Sequence, residues 1–285
     1  LKKKSGIFDK LEINQYICIM IFYLSGTGNS LWAATQISRV THDSLITMTE
    51  TGNADFIKDA RKGEPIGFVF PVHGWRPPRI VLEFINAIDS GSMSDRYVYA
   101  VVTAGDNIGE TINILSRELE KKGCKLNAAT SLIMPESYIG LPFMDTDTLE
   151  KENGKIQTSR RSLKEFINRI AKRQDGIYGL VTGKWPRVNT RLLGGVFTKW
   201  LITDKPFSIE VEKCLRCGKC AEKCPVDNIR LSNGGYPEWR HNGRCMTCFA
   251  CYHHCPAKAI RYGNRTKGKG QYYFGKNFMI SDFDI

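Results

Sequence analysis

The chain of 285 residues is 42% hydrophobic and 25% charged, which is the composition of a globular protein rather than of a disordered or fibrous one. Its length accommodates two domains, and no apolar run is long enough to span a bilayer. A formal charge of +12 could attract nucleic acid, anionic membrane or an acidic protein, and the acidic protein is favoured because no nucleic-acid-binding motif is present.

A basic start followed by an apolar stretch over Ile17–Leu24 resembles a short secretory leader. No small-residue cleavage site follows that stretch; a glycine-rich turn that opens a helix follows instead. We therefore predict that Ile17–Leu24 is the first strand and that the protein works in a reducing cytoplasm.

Apolar strands alternate with amphipathic helices from about residue 15 to residue 135. The strand runs are continuous and rich in β-branched residues, as is typical of strands buried on both faces of a parallel sheet. This alternation predicts a doubly wound sheet with right-handed crossovers. The predicted strands are Ile17–Leu24, Ser44–Met48, Ile66–Phe70, Tyr97–Thr103 and Thr130–Met134, and the predicted helices are Ser30–Val40, Ala54–Lys62, Arg79–Ile88 and Ile108–Lys122.

A loop of glycines and hydroxyls joins the first predicted strand to the first helix. Its N–H groups converge at a helix N-terminus, where the helix dipole favours an anion. Leu31 replaces the third glycine of the dinucleotide fingerprint, and no Gly-Lys-Ser/Thr follows as it would in a Walker loop. Extra hydroxyls suit a terminal monophosphate such as that of FMN, the alternative being a glycine-rich turn without a ligand. The predicted phosphate-loop residues are Ser25, Gly26, Thr27, Gly28, Asn29 and Ser30.

Two later strand ends should wall the same crevice, because the carboxyl ends of parallel strands meet at one edge of the sheet. The first loop carries an aromatic side chain that could lie against an isoalloxazine ring, although Trp75 could equally be a core residue and His73 a surface one. The second loop has small residues that would let the backbone approach the flavin edge. The predicted contacts are Pro71, Val72, His73, Gly74 and Trp75 from the first loop, and Thr103, Ala104, Gly105 and Asp106 from the second.

The middle of the chain is less diagnostic. Residues 146–172 predict a charged covering helix that Gly154 could interrupt. Residues 176–206 contain glycines, proline and apolar residues such as Leu192 and Trp200. They favour a packed inter-domain linker, with an interfacial membrane helix as the alternative.

Eight of the ten cysteines fall in two copies of the pattern C-x2-C-x2-C-x3-C-P. This is the run that holds cubane iron–sulfur clusters in bacterial-type ferredoxins, where the fourth cysteine of each run ligates the other cluster. Zinc sites use well-separated Cys pairs, and a disulfide framework would need export, so both are weaker readings. We therefore predict two [4Fe–4S] clusters, one held by Cys214, Cys217, Cys220 and Cys255 and the other by Cys245, Cys248, Cys251 and Cys224.

Between and beyond the cysteine runs the signals are simpler. Residues 228–239 predict a β-hairpin that turns at Asn233-Gly234. The segment from Arg261 onward, rich in lysine, glycine and tyrosine, predicts a solvated extension. Cys18 and Cys124 are expected to be buried thiols without chemistry.

Taken together, these motifs resemble a family that fuses a flavodoxin-like domain to a bacterial-type two-cluster ferredoxin. The resemblance rests on Ser25–Ser30, on both cysteine runs, on residues 251–260 and on the Thr266–Gly270 stretch. It implies an α/β flavodoxin-like parallel sheet of order 2-1-3-4-5 plus a small α+β ferredoxin domain. The implied segments are an FMN domain at 15–175, a linker at 176–206, a two-cluster domain at 207–262 and a basic tail at 263–285.

The expected function is electron transfer between FMN, two [4Fe–4S] clusters and a redox partner, which is an acidic redox protein or an oxidoreductase. The alternatives are an FMN-dependent reductase of a small acceptor such as a quinone, and a redox-sensing iron–sulfur module. No acid–base pair or nucleophile in the sequence identifies a catalytic residue. Neither a transmembrane segment nor nucleic-acid binding is expected, and the oligomeric state is left open.

Overall fold

A computed structural model of the chain describes residues 20–279 and 284–285; Cys18 and the first three residues of the predicted first strand lie outside this range. The N-terminal part consists of β1 Met20–Tyr23, α1 Asn29–Thr41, β2 Ser44–Thr47, a 3₁₀ turn Thr51–Asp55, α2 Phe56–Asp59, β3 Ile66–Pro71, α3 Arg79–Ala87, a 3₁₀ turn Ser90–Met93, β4 Val98–Ala104, α4 Thr111–Glu120, β5 Leu126–Ile133, α5 Leu149–Ala171 and β6 Gly176–Tyr178.

The described strands of this part form one six-stranded parallel sheet of order β2-β1-β3-β4-β5-β6. The order 2-1-3-4-5 is that of flavodoxin-like folds, so the predicted fold class is confirmed. β6 adds an edge strand in which Ile177 pairs with Ala129 of β5. The first three residues of the predicted linker, 176–206, therefore belong to the sheet.

Helices cover both faces of the sheet. Along β4, Val98, Ala100 and Val102 face one buried cluster, which includes residues of α3 and α4. Tyr99 and Val101 face the other cluster, which includes residues of α1 and α5. Burial on both faces explains why the strand sequences are continuously apolar rather than alternating.

Three elements differ in extent from their predictions. The second helix, predicted over Ala54–Lys62, is shorter than expected. Only Phe56–Asp59 is α-helical, and a 3₁₀ turn precedes it. β5 starts at Leu126, four residues before the predicted Thr130, and is paired with β4 along its length. α5 continues through Gly154, where an added Cβ would have no neighbour within 4 Å, so glycine there costs about 1 kcal/mol of helix propensity and no packing.

A helical segment of residues 186–201, here called the linker helix, follows β6. It is built from α6 Pro186–Val188, a π-helical turn Asn189–Leu193, α7 Gly194–Val196 and a second π-helical turn Phe197–Leu201. Within the described part of the chain, no helix is long and apolar enough to cross a membrane.

The C-terminal module is small and built from short elements. These are β7 Phe207–Ile209, a 3₁₀ turn Val211–Lys213, α8 Lys219–Glu222, β8 Ile229–Leu231, β9 Pro237–Trp239, α9 Ala250–His253 and β10 Ile260–Tyr262. β7 pairs with β10 and β8 pairs with β9, both antiparallel. The predicted hairpin is therefore confirmed, although the residue with positive φ in its turn is Gly235 and not Gly234.

The segment that follows β10 packs against the rest of the protein, and the prediction of a solvated extension is wrong. Tyr272 and Phe274 are 0% and 7% exposed. The Phe274 N–H donates to the Thr27 carbonyl (2.8 Å), and the Tyr272 hydroxyl donates to Asn29 Oδ1 (2.6 Å). Lysine and glycine content predicted solvent here, whereas the aromatic residues decide the packing.

Candidate functional site

A crevice of about 320 Å³ lies at the carboxyl ends of β1, β3 and β4. All the residues predicted to bind flavin line it, except Gly28. The parallel sheet brings the three loops together at one edge, as the strand order requires. The topology of the sheet thus places the three predicted flavin-binding loops around one crevice.

The phosphate loop is held closed by its own hydrogen bonds. Ser25 Oγ accepts a hydrogen bond from the Gly28 N–H (3.2 Å). Gly28 has φ +99°, in the left-handed region that favours glycine, and immediately precedes α1. No side chain caps the first turn of α1 and none in that turn is acidic. The N–H groups of the helix start are therefore available to an anion.

Two buried polar side chains tie this loop to its surroundings. Ser30 and Thr103 share a hydrogen bond between their hydroxyls (2.7 Å). Asn29 donates through Nδ2 to the Pro135 carbonyl (3.1 Å) and accepts from Tyr272. The Asn29 amide is thus engaged on both atoms, which makes it a positioning residue for the loop.

The loop after β3 makes a tight turn in which His73 and Arg76 exchange backbone hydrogen bonds. Gly74 and Trp75 both have positive φ, and Trp75 lines the crevice. A Cβ on Gly74 would meet the Phe197 ring at 2.6 Å, so the linker helix closes against this loop. Desolvation lowers the pKa of His73 to about 4, which leaves its imidazole neutral at neutral pH.

Two buried side-chain polar atoms of crevice residues have no hydrogen-bond partner among residues 20–279 and 284–285. They are the Asn107 carbonyl oxygen and the Tyr138 hydroxyl, and burial raises the pKa of that hydroxyl well above its usual value. Unpaired buried polar atoms are costly in a folded protein and indicate a missing partner such as a ligand. A flavin ring, which is apolar on its faces and polar along one edge, fits a crevice with both aromatic walls and unpaired polar atoms.

A buried carboxylate supports the far wall of the crevice. Glu136 Oε1 accepts from the N–H groups of Ser137 (3.0 Å) and Tyr138 (2.8 Å). Burial raises the pKa of Glu136, and these hydrogen bonds together with the charge of Lys155 oppose that rise. A Cβ on Gly105 would overlap the Glu136 carboxylate, so a larger residue at that position would have to displace this side chain.

Besides Asn107, which directly follows the predicted Asp106, eleven further lining residues were not predicted from the sequence. The segment after β5 could have been found, because β5 ends at the same sheet edge as the other loops. The contributions of the linker helix and of the second cysteine run depend on how remote segments pack, which no local pattern reports. The residues are Pro135, Glu136, Ser137, Tyr138, Leu141, Phe143 and Met144, then Phe197, and Met246, Thr247 and Cys248.

The two cysteine runs have the same backbone form. The second and fourth residues after the first cysteine have positive φ in both runs: Arg216 and Gly218 in one, Thr247 and Phe249 in the other. Successive turns of this kind point N–H groups into a concavity that suits an anion such as an iron–sulfur cluster. The Asn228 and Ala259 N–H groups, each four residues after the last cysteine of a run, donate to Cys224 Sγ (3.2 Å) and Cys255 Sγ (3.3 Å).

One predicted ligand set lines a small cavity of its own. The cavity has apolar walls that include Pro237 and Ile260. The four cysteines that line it are Cys214, Cys217, Cys220 and Cys255. Cys255 comes from the second run, as the exchange of fourth cysteines between runs predicts. The Cys217 side of the site is exposed, whereas Cys220 is buried.

The other predicted set lies deeper, between the ferredoxin-type module and the sheet. Cys224 and Cys248 pack against the core of the sheet domain. Burial, with a smaller contribution from the neighbouring Cys224, raises the pKa of Cys248 to about 12 and that of Cys245 to about 11. Both thiols are therefore protonated until a metal replaces the protons.

Among the described residues, no three His, Cys, Asp or Glu side chains converge closely enough to hold a single metal ion. A four-iron cubane is larger than an ion, and its thiolates surround it at its corners instead of meeting at a point. Of the two cysteines assigned no role, Cys124 is buried, as expected, and burial raises its pKa to about 11.

The phosphate loop and the second cysteine run are in direct contact. A Cβ on Gly26 would lie 2.7 Å from Cys248 Cβ and 3.1 Å from Cys248 Sγ. Met246, Thr247 and Cys248 also line the crevice itself. The predicted flavin site and one predicted cluster site are therefore adjacent.

Comparison with known proteins identifies the C-terminal module. Residues 207–256 match the 4Fe-4S dicluster domain family. No functionally curated protein matches the chain.

Solved structures with low similarity align with the N-terminal part. The Trp repressor binding protein from Bacillus subtilis is 14% identical, with a TM-score of 0.40, and the alignment covers 55% of this chain and 99% of that one. Two-electron reduced Megasphaera elsdenii flavodoxin is 19% identical, with a TM-score of 0.34 and coverages of 40% and 85%. The rubredoxin oxygen:oxidoreductase from the anaerobe Desulfovibrio gigas is 16% identical, with a TM-score of 0.34 and coverages of 52% and 36%.

The fold and site define a class of protein. The strand order makes the N-terminal domain flavodoxin-like. The C-terminal module is a 4Fe-4S dicluster domain. The chain joins the two in one molecule, which is an architecture for redox electron transfer.

Proposed function

We propose that this protein transfers electrons between FMN in the crevice, two [4Fe–4S] clusters and an external redox partner. The observation that carries the proposal is the contact between Gly26 of the phosphate loop and Cys248 of the second cysteine run. A flavin in the crevice would share a wall with a cluster ligand. The flavin domain predicted at 15–175 extends through β6 to residue 178, and the proposed two-cluster domain spans 207–262.

Different residues of the crevice would bind the phosphate, the ring and the polar edge of FMN. The N–H groups at the start of α1, with the hydroxyls of Thr27 and Ser30, would hold the phosphate. Trp75 and Tyr138 would flank the ring, and the unpaired Asn107 oxygen would accept a hydrogen bond from its polar edge. When bound, FMN exchanges two electrons and each cluster one, so the assembly would connect two-electron and one-electron carriers.

The two cysteine sets have different positions relative to solvent. Cys248 lies against the phosphate loop, which supports an inner position for its set. Cys217 is exposed, which supports an outer position for the other set, where a partner protein would reach it. Lys219 and Arg216 flank Cys217 and would favour an acidic partner protein, which we place in the cytoplasm.

A second candidate function is reduction of a small acceptor by the flavin. A cavity of about 360 Å³ adjoins the crevice and shares His73 and Met246 with it. Arg76, Arg79 and Arg244 line this cavity, which suits a small anionic molecule. Turnover with a diffusible acceptor in the absence of any partner protein would favour this candidate.

An anaerobic redox titration followed by absorbance and electron paramagnetic resonance tests the main proposal. We expect flavin and cluster signals in one chain, with electrons that enter at the clusters reaching the flavin without added mediator. Clusters that stay reduced beside an oxidised flavin would contradict the proposed transfer.

A further inference from the structure

The linker helix exposes an unusual apolar stripe. Val188, Leu192, Val196 and Trp200 are 48%, 63%, 52% and 66% exposed, and they follow one another at intervals of four residues. The π-helical turns of this segment have more residues per turn than an α-helix, so this spacing lies along one side of the helix. Trp185, 69% exposed, precedes the helix at one end, and Trp200 stands near the other.

The opposite side of the same helix is fixed to the protein. The Thr190 hydroxyl donates to the Trp75 carbonyl (3.1 Å) and accepts from the Glu110 N–H (2.8 Å). A Cβ on Gly194 would overlap the Gly74 carbonyl oxygen. Since the inner face is this closely packed, the apolar stripe is a fixed feature of the surface.

The charge of the segment has one sign. Residues 176–203 contain no aspartate or glutamate, whereas they contain Lys184, Arg187, Arg191 and Lys199. Arg191 pairs with Glu110 (2.9 Å), which belongs to the preceding part of the chain. The other three cations have no salt bridge among the described residues.

We propose that the linker helix binds the surface of an anionic lipid bilayer, with its axis in the plane of the interface. Exposed leucine, valine and tryptophan enter the boundary between headgroups and acyl chains, and the flanking cations attract acidic headgroups. Tryptophan at both ends is typical of the membrane interface. An acidic protein would match the cations alone, whereas a bilayer matches the cations and the apolar stripe together.

This inference goes beyond the proposed electron transfer and does not depend on it. The inner face of the linker helix contacts Gly74 and the Trp75 carbonyl, which belong to the rim of the crevice. A bilayer under the outer face would therefore lie about 10 Å, the diameter of one helix, from the rim of the crevice.

Vesicle flotation of the full chain, loaded with iron and flavin, tests the proposal and needs no electron transfer as a readout. We expect the chain to float with vesicles of phosphatidylcholine and phosphatidylglycerol, to float poorly with phosphatidylcholine alone, and to be released by salt. The double variant L192S/W200S should bind at least roughly tenfold more weakly. Its matched control, L149S/L231S, removes two exposed leucines elsewhere and should bind like wild type.

Two charge variants test whether the cations of the linker helix, rather than the overall positive charge of the protein, attract the vesicles. R187Q/K199Q should weaken binding roughly 25-fold, at about fivefold for each cation. R161Q/K164Q removes an exposed arginine and lysine from α5 and should leave binding unchanged. The proposal is overturned if the chain ignores anionic vesicles at low salt, if L192S/W200S floats like wild type, or if the α5 variant loses as much binding. Binding of an acidic protein through the same residues without binding to vesicles would also overturn it.

Discussion

Two glycines of the phosphate loop are needed for different reasons. Gly28 has φ +99°, and a Cβ there would approach Phe274 Cβ at 2.9 Å, so both backbone and space require glycine. Gly26 has no such φ, and its constraint is the closeness of Cys248. Gly28 therefore shapes the loop, whereas Gly26 lets the loop touch the second cysteine run.

Gly26→Ala should weaken FMN binding, because the added methyl must push apart the phosphate loop and Cys248 at a cost of about 1–3 kcal/mol. FMN affinity by fluorescence titration, with the cluster absorbance recorded in parallel, measures the effect. Gly52→Ala is the matched control, since a Cβ at Gly52 meets nothing within 4 Å. If the two variants bind FMN with the same affinity, Gly26 and Cys248 are not in the close contact that the structure shows.

Asp43, 4% exposed, gives the protein a pH-dependent stability. Burial raises the pKa of Asp43 to about 7. A raised native pKa means that the folded state holds the proton which the unfolded state releases near pH 4. Stability contributed by this proton is therefore full below about pH 4 and falls as the pH rises towards about 7.

Asp43→Asn should remove this loss. Between about pH 5.5 and about pH 8 the free energy of unfolding of the variant, relative to wild type, should rise by about 1–2 kcal/mol. Anaerobic thermal unfolding at several pH values measures the difference. A gap between the two proteins that stays constant with pH would show that the carboxyl ionises normally in the folded state.

At the scale of elements, the C-terminal segment joins the two modules. The Phe274 ring stacks on Trp32 of α1 with 5.3 Å between ring centroids, and the Tyr272 N–H donates to His253 Nδ1 of α9 (3.1 Å). One short segment thus packs on α1, the helix that follows the phosphate loop, and on α9, the helix that lies within the second cysteine run. Its packing supports the geometry of the site from behind.

Phe274→Ala should lower the free energy of unfolding by about 3–5 kcal/mol and should also weaken FMN binding, because the cavity that it leaves lies behind the phosphate loop. Denaturant unfolding under anaerobic conditions measures the first effect. Met279→Ala, at a side chain that is 70% exposed, should change stability by less than about 0.5 kcal/mol. A Phe274 variant as stable as the Met279 variant would contradict the packing role.

The elements that the sequence predicts well are those whose pattern is local. Continuous apolar runs predict the sheet strands, and the cysteine spacing predicts two ligand sets, one of which lines a single cavity. The boundaries of α2 and β5 are less well predicted, because tertiary pairing extends or shortens elements beyond their local preference. Gly154 inside α5 shows the same effect, since long-range packing of the helix outweighs one weak residue.

The features that could not be predicted depend on contacts between remote segments. Phe197 and Cys248 line the crevice although they lie more than a hundred residues after the phosphate loop. The burial of Tyr272 and Phe274 reverses what the lysine and glycine content of their segment predicts. In each case the deciding interaction is a packing contact that has no counterpart in neighbouring sequence.

For the whole molecule, charge limits which partners can associate. The sequence carries a formal charge of +12, which two oxidised clusters would lower to about +8 and an FMN phosphate to about +6. The loaded protein therefore remains basic. This charge favours encounter with an acidic redox protein.

The rate of electron exchange with an acidic carrier should fall as salt is added, because screening weakens long-range attraction. Stopped-flow kinetics with an acidic and a basic carrier of similar potential measure this. The acidic carrier should slow with salt and the basic one should speed up. Rates that do not respond to salt would remove the argument for an acidic partner.

The central claim is that iron–sulfur clusters and a flavin occupy adjoining sites in one chain. Metal and flavin analysis of the anaerobically reconstituted protein tests it most directly. The account predicts about eight irons and one FMN per chain. Zinc in place of iron, or protein that retains no FMN after reconstitution, would contradict it.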